Sequence, residues 1–270
     1  MTEDKQLTGP TRKSPIEKKI RLIDLSVLIT NTPEGVSPVE ITRYNHEYSV
    51  EVLVKPHGLE ASDLPDGKFF ATERLSLRTH VGTHVDSPWH YGPTSDNRPA
   101  KTIDKIPLEW CYGNGVLLNF SHKKSGDLIS VEDVKEALHR IDYKLKTFDI
   151  VLIRTDTSKH YGKPDYANMQ PGMSREATLW LVEQGVKLMG IDARSWDRPD
   201  DIMVAEYKNG VRGRLWAAHF SGREKEFCLI ENLLNLDQIP KPYGFKIAAF
   251  PIKIEGASAG WGRVVAIIEG

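Results

Sequence analysis

The sequence predicts an α/β fold: a single domain with one mixed sheet and flanking helices. Two observations carry this. Segments with helical periodicity alternate with short apolar strands in the middle of the chain, and strand-like segments occupy both ends. No repeat, low-complexity stretch or Ser/Gly-rich linker divides the chain. At 270 residues, with 40% hydrophobic and 27% charged content, it is long enough to bury a sizeable core.

Each element has a local reason. Met1 to Lys19 is polar and charged and reads as a flexible tail ahead of a domain spanning 20–270. Ile20 to Ile29 partly alternates apolar and polar residues, as a strand does, and Asn31, Thr32, Pro33, Glu34 and Gly35 break it. Tyr48 to Val54 reads as a second strand, and Pro56 to Lys68 as a loop containing Gly58, Pro65 and Gly67. A strand over Glu73 to Thr79 then leads into a histidine-rich segment. Ser130 and Asp133 form a capping-box pattern for a helix whose apolar face is Val134, Ala137, Leu138 and Ile141. Asp149 to Arg154 is a short apolar strand. Ser174 caps a second helix, Arg175 to Gln184, which Gly185 terminates. Strands are also expected at Val186 to Ile191, Phe245 to Ile254 and Arg263 to Ile268.

Composition removes several classes of function. The net charge is −1, and no basic run is interleaved with aromatics, so neither nucleic acid nor an anionic membrane is an expected partner. A small molecule is. The N-terminal segment lacks the apolar stretch of a signal peptide, and no apolar run reaches about 18 residues, so a cytoplasmic location is expected. Cys111 and Cys228, the two cysteines, form no CxxC pair and are expected to stay reduced and buried.

Chemistry concentrates between His80 and His90. His80, His84 and His90 are three of nine histidines, and Asp86 lies among them. On a helix Asp86 would sit about 200° around from His84, and Gly82 and Pro88 both oppose helix. In extended chain, His80, His84, Asp86 and His90 all face one side. A straight strand would spread the set over about 20 Å, too far for one ion, so the segment must bend, with Gly82 as the bend. Thr83 and Ser87 are candidates to orient the ligands by hydrogen bonds. Imidazole with carboxylate suits zinc, manganese or iron better than calcium or magnesium.

His80-Val81-Gly82-Thr83-His84-Val85-Asp86-Ser87-Pro88-Trp89-His90 resembles the HxGTHxDxPxH signature of the cyclase superfamily, which includes bacterial kynurenine formamidases and isatin hydrolases. Leu152 to Thr155, Gly190 to Asp197 and Ile230 to Leu233 extend the resemblance over about residues 20 to 270. The resemblance implies a swivelling β/β/α-like fold. It also implies His80, His84, Asp86, His219 and Glu231 as ligands of one or two divalent ions, Zn or Mn, and His90 as the catalytic acid/base. A homodimer or homotetramer is implied likewise. Asn31 to Gly35 lacks the Trp-Pro-Gly-Asp-like segment of the formamidases, which leaves the substrate open.

The expected activity is therefore hydrolysis of a C–N bond in a small amide, formamide or cyclic amide or imide. A bound divalent ion lowers the pKa of water from near 16 to about 7, and an imidazole with an ordinary pKa of ~6.5 relays the proton. No G-x-S-x-G elbow offers a serine nucleophile. The alternatives are a lactone or ester hydrolase of the same fold, a non-catalytic metal-binding domain, and a non-haem iron oxygenase using His84, Asp86 and His219. The last leaves His80 and Glu231 redundant. Trp89 is a candidate pocket wall, with Trp196, Trp216, Phe69 and Phe70 as further aromatic candidates. Arg212 and Arg214 are candidates for holding a substrate carboxylate.

Overall fold

Four parallel strands at the centre of one large sheet organise the protein, whose computed structural model describes residues 20–30 and 38–269. The chain begins with β1 (Ile20–Asp24), β2 (Glu40–Tyr44), β3 (Thr72–Ser76) and β4 (His84–Asp86). A short ladder of β5 (Thr94–Ser95) with β6 (Arg98–Pro99) precedes β7 (Tyr112–Asn119) and β8 (Leu128–Ile129). Then come β9 (Ile150–Arg154), β10 (Gly172–Met173), β11 (Leu188–Ile191) and β12 (Cys228–Glu231). The chain returns through β13 (Phe245–Ala248), β14 (Ala259–Trp261) and β15 (Val265–Glu269). The nine-stranded sheet has the order β1-β15-β13-β7-β9-β11-β12-β4-β14. Strands β7, β9, β11 and β12 are parallel, and antiparallel strands flank them on both sides, so the sheet is mixed as expected.

Helices α1 (Pro88–Tyr91), α2 (Val131–Arg140), α3 (Arg175–Glu183), α4 (Asp200–Lys208) and α5 (Ala217–Phe220) complete the framework. The capping box at Ser130 and Asp133 forms, with Ser130 Oγ accepting from Asp133 N at 3.2 Å and Asp133 Oδ2 accepting from Ser130 N at 2.8 Å. Ser174 Oγ accepts from Ala177 N, and Gly185 leaves α3 with φ of +91°. Alternate residues of the central strands feed two cores. Val116, Leu118, Val151, Ile153, Met189 and Ile191 pack with Val134, Leu138, Ala177 and Leu181 of α2 and α3. Leu117, Ile150, Leu152, Leu188 and Ile230 pack on the other face with Ile23, Val85, Ile247 and Ala266 from the flanking strands. Both cysteines are free and buried.

Four strand expectations change, the first being Ile20 to Ile29, whose strand ends at Asp24. Tyr48 to Val54 is helical, closing as a π-turn over Val50–Val54. Asn45 starts it by accepting from Tyr48 N through its side chain and from Ser49 N through its carbonyl, and Val50 and Val54 bury one turn apart, so capping and packing override the strand preference of valine. The strand at Glu73 ends at Ser76 and pairs with β2 outside the main sheet, so it does not run into the histidine motif. The strand at Phe245 stops at Ala248, because Ala249 N turns to Cys111 O and Pro251 has no N–H for a ladder. The tail 1–19 and the breaker segment Asn31 to Gly35 lie outside the described residues. Among the described residues, no helix is long and apolar enough to cross a membrane.

Candidate metal centre

Three separate parts of the chain meet at the histidine motif. Gly82 bends it with φ of +67°, and its missing Cβ avoids Ile29 Cγ1, which would lie 2.9 Å away. The strand β4 then sits between β12 and β14, with His84 in register with Glu231 on one side and Trp261 on the other. This register brings Glu231 to the cluster, 147 positions downstream of His84. The extended geometry expected through His90 does not continue. Pro88, as the first residue of α1, starts a helical turn that folds His90 back over the motif. The His80 and His90 rings lie 4.1 Å apart between centroids, and His90 and His219 5.6 Å.

His219 is delivered by α5. Asp197 accepts from the N–H groups of Ala218 and His219, both at 3.0 Å, satisfying donors at the helix start. The same carboxylate lies 2.6 Å from His219 Nδ1. That bond sets the tautomer, so Nε2 turns toward Glu231 Oε1 at 3.3 Å and Asp86 Oδ2 at 3.7 Å. His84 is held in the same way: its Nδ1 contacts Gly82 O at 2.8 Å, and its Nε2 faces Asp86 Oδ1 at 3.3 Å and Glu231 Oε2 at 3.7 Å. His80 Nδ1 lies 2.8 Å from Asp86 Oδ1, and its Nε2 2.9 Å from Ser258 Oγ. Glu231 Oε1 accepts from Trp196 N at 2.9 Å.

Asp86 is completely buried, yet neither oxygen accepts an aligned hydrogen bond, and buried His84 Nε2 has none either. Orphaned buried groups of this kind cost about 1–3 kcal/mol each unless something else satisfies them. A cation does so, and a set of imidazole nitrogens and carboxylate oxygens with lone pairs facing one point fits a divalent transition metal. His80, His84 and Asp86 place one donor atom each within 4.8 Å of one another, and so do Asp86, His90 and His219.

The electrostatics follow from this crowding. Burial opposes charge on His84, but Asp86 and Glu231 outweigh it and lift its pKa to about 9. Burial likewise works against the Asp86 carboxylate, and the surrounding His90, His84, His219 and His80 reverse that, holding it well below the usual carboxylate range. Desolvation first, then His80 and His219, push His90 below its ordinary value despite Asp86 and Glu231, which favours the neutral ring.

A cleft of about 570 Å³ opens on this cluster, lined by His80, His90, His219 and Glu231 together with Arg78, Tyr161, Tyr166, Arg194, Trp216, Phe220 and Asn232. Of the aromatic candidates, Trp216 alone lines it. Trp89 is 44% exposed and points elsewhere, Trp196 is buried with Nε1 bonded to Thr178 Oγ1, and neither Phe69 nor Phe70 reaches the cleft. Arg212 and Arg214 do not reach it either. Arg212 stacks on Tyr207 and donates to Tyr207 O, and Arg214 lies 3.7 Å from Glu206. Thr83 and Ser87 brace backbone, donating to Asn232 O and Ser258 O, and Ser258 is the hydroxyl that meets a candidate ligand. Ser258 and Tyr91, whose buried hydroxyl has no hydrogen-bond partner among the described residues, carry no sequence signal, because only chain packing brings them here, whereas Asn232 lies in the Ile230 to Leu233 segment that carries the resemblance.

A mixed-sheet α/β protein with a buried histidine–carboxylate cluster at the edge of a cleft is the class this architecture defines. The chain belongs to the cyclase family: the family model described as "Putative cyclase" matches residues 23–198. It is similar to a kynurenine formamidase of Bacillus thuringiensis (strain Al Hakam), 26% identical over 142 residues, covering 51% of this chain and 60% of that protein. A kynurenine formamidase of Erythrobacter litoralis is 26% identical over 193 residues, covering 71% of this chain and 74% of the relative. The match therefore spans less than two thirds of the Bacillus protein. Among solved structures, isatin hydrolase A from Ralstonia solanacearum superposes with a TM-score of 0.72 at 25% identity, covering 93% of this chain and 92% of the other.

Proposed function

We propose that the chain is a metal-dependent hydrolase cleaving the C–N bond of a small amide, formamide or cyclic amide. The observation that carries this reading is the convergence of orphaned His84 Nε2 and both Asp86 oxygens with His80, His219 and Glu231 on a cleft that also holds His90. Its family membership and the hydrolases named among its relatives support the same class.

His80, His84, Asp86, His219 and Glu231 would hold one or two divalent ions, Zn or Mn. When bound, the cation supplies Lewis acidity, acidifying water and stabilising negative charge on a carbonyl oxygen. The chain's own residues do the rest. Asp197 and the Gly82 carbonyl fix the orientation of His219 and His84, so that the donor set is preorganised. His90, whose ring makes no hydrogen bond among the described residues, accepts a proton on a ring nitrogen and returns it to the departing amine. Tyr161, Trp216 and Phe220 give the cleft beside it an aromatic wall.

Metal analysis of the purified protein, followed by anaerobic assay of N-formylkynurenine, isatin, cyclic imides and simple esters, tests this. Turnover that is lost on chelation, restored by Zn or Mn and independent of oxygen is the expected result. Oxygen consumption with iron would transfer the site to the oxygenase reading, and a stoichiometric metal without turnover of any substrate would sink the amide-hydrolase assignment.

A further inference from the structure

The cleft beside the histidine–carboxylate cluster carries a guanidinium that nothing among the described residues pairs. Arg78 lines the cleft two residues before His80, in a turn closed by Val81 N–H donating to Arg78 O at 3.3 Å. Among the described residues its side chain makes no hydrogen bond, ion pair or ring contact. The cleft's other guanidinium is committed: Arg194 Nη1 donates to Asp200 Oδ2 at 3.0 Å, and Asp200 Oδ1 accepts from Trp216 Nε1 at 2.9 Å. Glu231, the remaining carboxylate of the cleft lining, faces His84 and His219. Among the described residues, nothing in the cleft neutralises Arg78.

An arginine beside an apolar wall is the pattern by which concave sites orient a ligand, with few polar groups and much ring surface. Its planar fork matches a carboxylate in bidentate fashion, and the guanidinium, which belongs to an exposed residue of the cleft lining, is accessible to an incoming ligand. Trp216 supports the ring side of the argument. It is held at φ of +43°, a region bulky side chains avoid, while Asp200 pins its indole nitrogen.

We propose that Arg78 is a specificity-determining residue of this cleft, pairing with a carboxylate carried by an aromatic amide substrate. The proposal rests on the hydrolase reading for the word substrate, whereas the pairing itself is a binding property. It moves the carboxylate contact from Arg212 and Arg214, which are spent outside the cleft, to a residue inside it.

The test compares matched probes on metal-loaded full-length wild type, Arg78→Met and Arg78→Lys. Kinetics are measured on 3-formamidobenzoate against formanilide, and binding on benzoate against benzamide, followed by tryptophan fluorescence or calorimetry. Arg78→Met should raise KM for 3-formamidobenzoate about ten-fold with kcat little changed, and leave formanilide within about two-fold. Arg78→Lys should recover part of the loss, and benzoate affinity should fall in parallel while benzamide affinity holds. Equal losses for charged and neutral probes overturn the proposal, since they report a structural role. So does a preference for carboxylate that survives Arg78→Met, or a wild type that binds benzoate no more tightly than benzamide. If wild type hydrolyses neither anilide, the hydrolase reading fails for this class of amide, and the benzoate–benzamide pair still decides the role of Arg78.

Discussion

Two buried aspartates in the same sheet, Asp86 in β4 and Asp192 just after β11, solve the problem of a buried carboxylate in opposite ways. Asp192 accepts from Thr155 N at 2.6 Å, Thr155 Oγ1 at 2.7 Å, Asp156 N at 2.9 Å and Ser158 Oγ at 3.2 Å. Asp86 accepts no aligned bond and is ringed by imidazole nitrogens. Their acidities diverge accordingly. Burial lifts Asp192 to about 6, because its donors are neutral, whereas the histidines around Asp86 overcome burial and hold it far below the usual range. A buried carboxylate with its own donors braces a loop. One left to imidazole lone pairs marks a site that a cation completes.

Breaking the Asp86 side of the contrast should have the largest effect. Asp86→Asn is expected to lower metal content well below stoichiometry and to cut hydrolysis at least ~10³-fold, read by metal analysis and steady-state rates. His90→Ala separates chemistry from coordination: kcat should fall by roughly 10²–10⁴ with metal content retained. Loss of metal in that variant would make His90 a ligand instead, as its closeness to Asp86 and His219 allows. Asp197→Asn, which weakens the hold on His219 Nδ1, should reduce metal affinity by about 10–100-fold in a chelator competition and leave the fold intact.

Changes on the Asp192 side should register as stability. Asp192→Asn is expected to cost roughly 1–3 kcal/mol in chemical denaturation without altering metal content, since the amide cannot accept from all four donors. The pH dependence has a definite sign. Because the folded pKa is about 6 against 3.8 for an ordinary aspartate, the folded state binds the proton more tightly. The stabilisation from Asp192 is therefore complete below pH 3.8 and lost as pH rises through about 6. Comparing Tm from pH 4 to 7 should show a steeper decline for wild type than for Asp192→Asn, and parallel curves would contradict this account.

The central α/β unit and the motif were legible because their signals are local. Ser130, Asp133, Ser174 and Gly185 cap helices by contacts within a few residues, and the apolar runs of β9 and β11 can only be buried. His80, His84 and Asp86 share a side of one short segment, and Gly82 announces its bend. His219 and Glu231 were reached through resemblance, not spacing. Less legible were Tyr48 to Val54, where a local cap beats strand propensity, and the turn at Pro88, where a proline read as a helix breaker serves as a helix start.

By itself, then, the sequence determined the mixed α/β class, the bent histidine motif and the chemical type of its ligands, because periodicity, capping and side-chain chemistry act over short separations. Only the tertiary structure decided that β12 lies against β4 with Glu231 beside His84, that Asp197 holds His219, and that Arg78 faces the cleft while Arg212 and Arg214 do not. Those outcomes depend on strand order and packing between residues far apart in the chain, which no local pattern encodes.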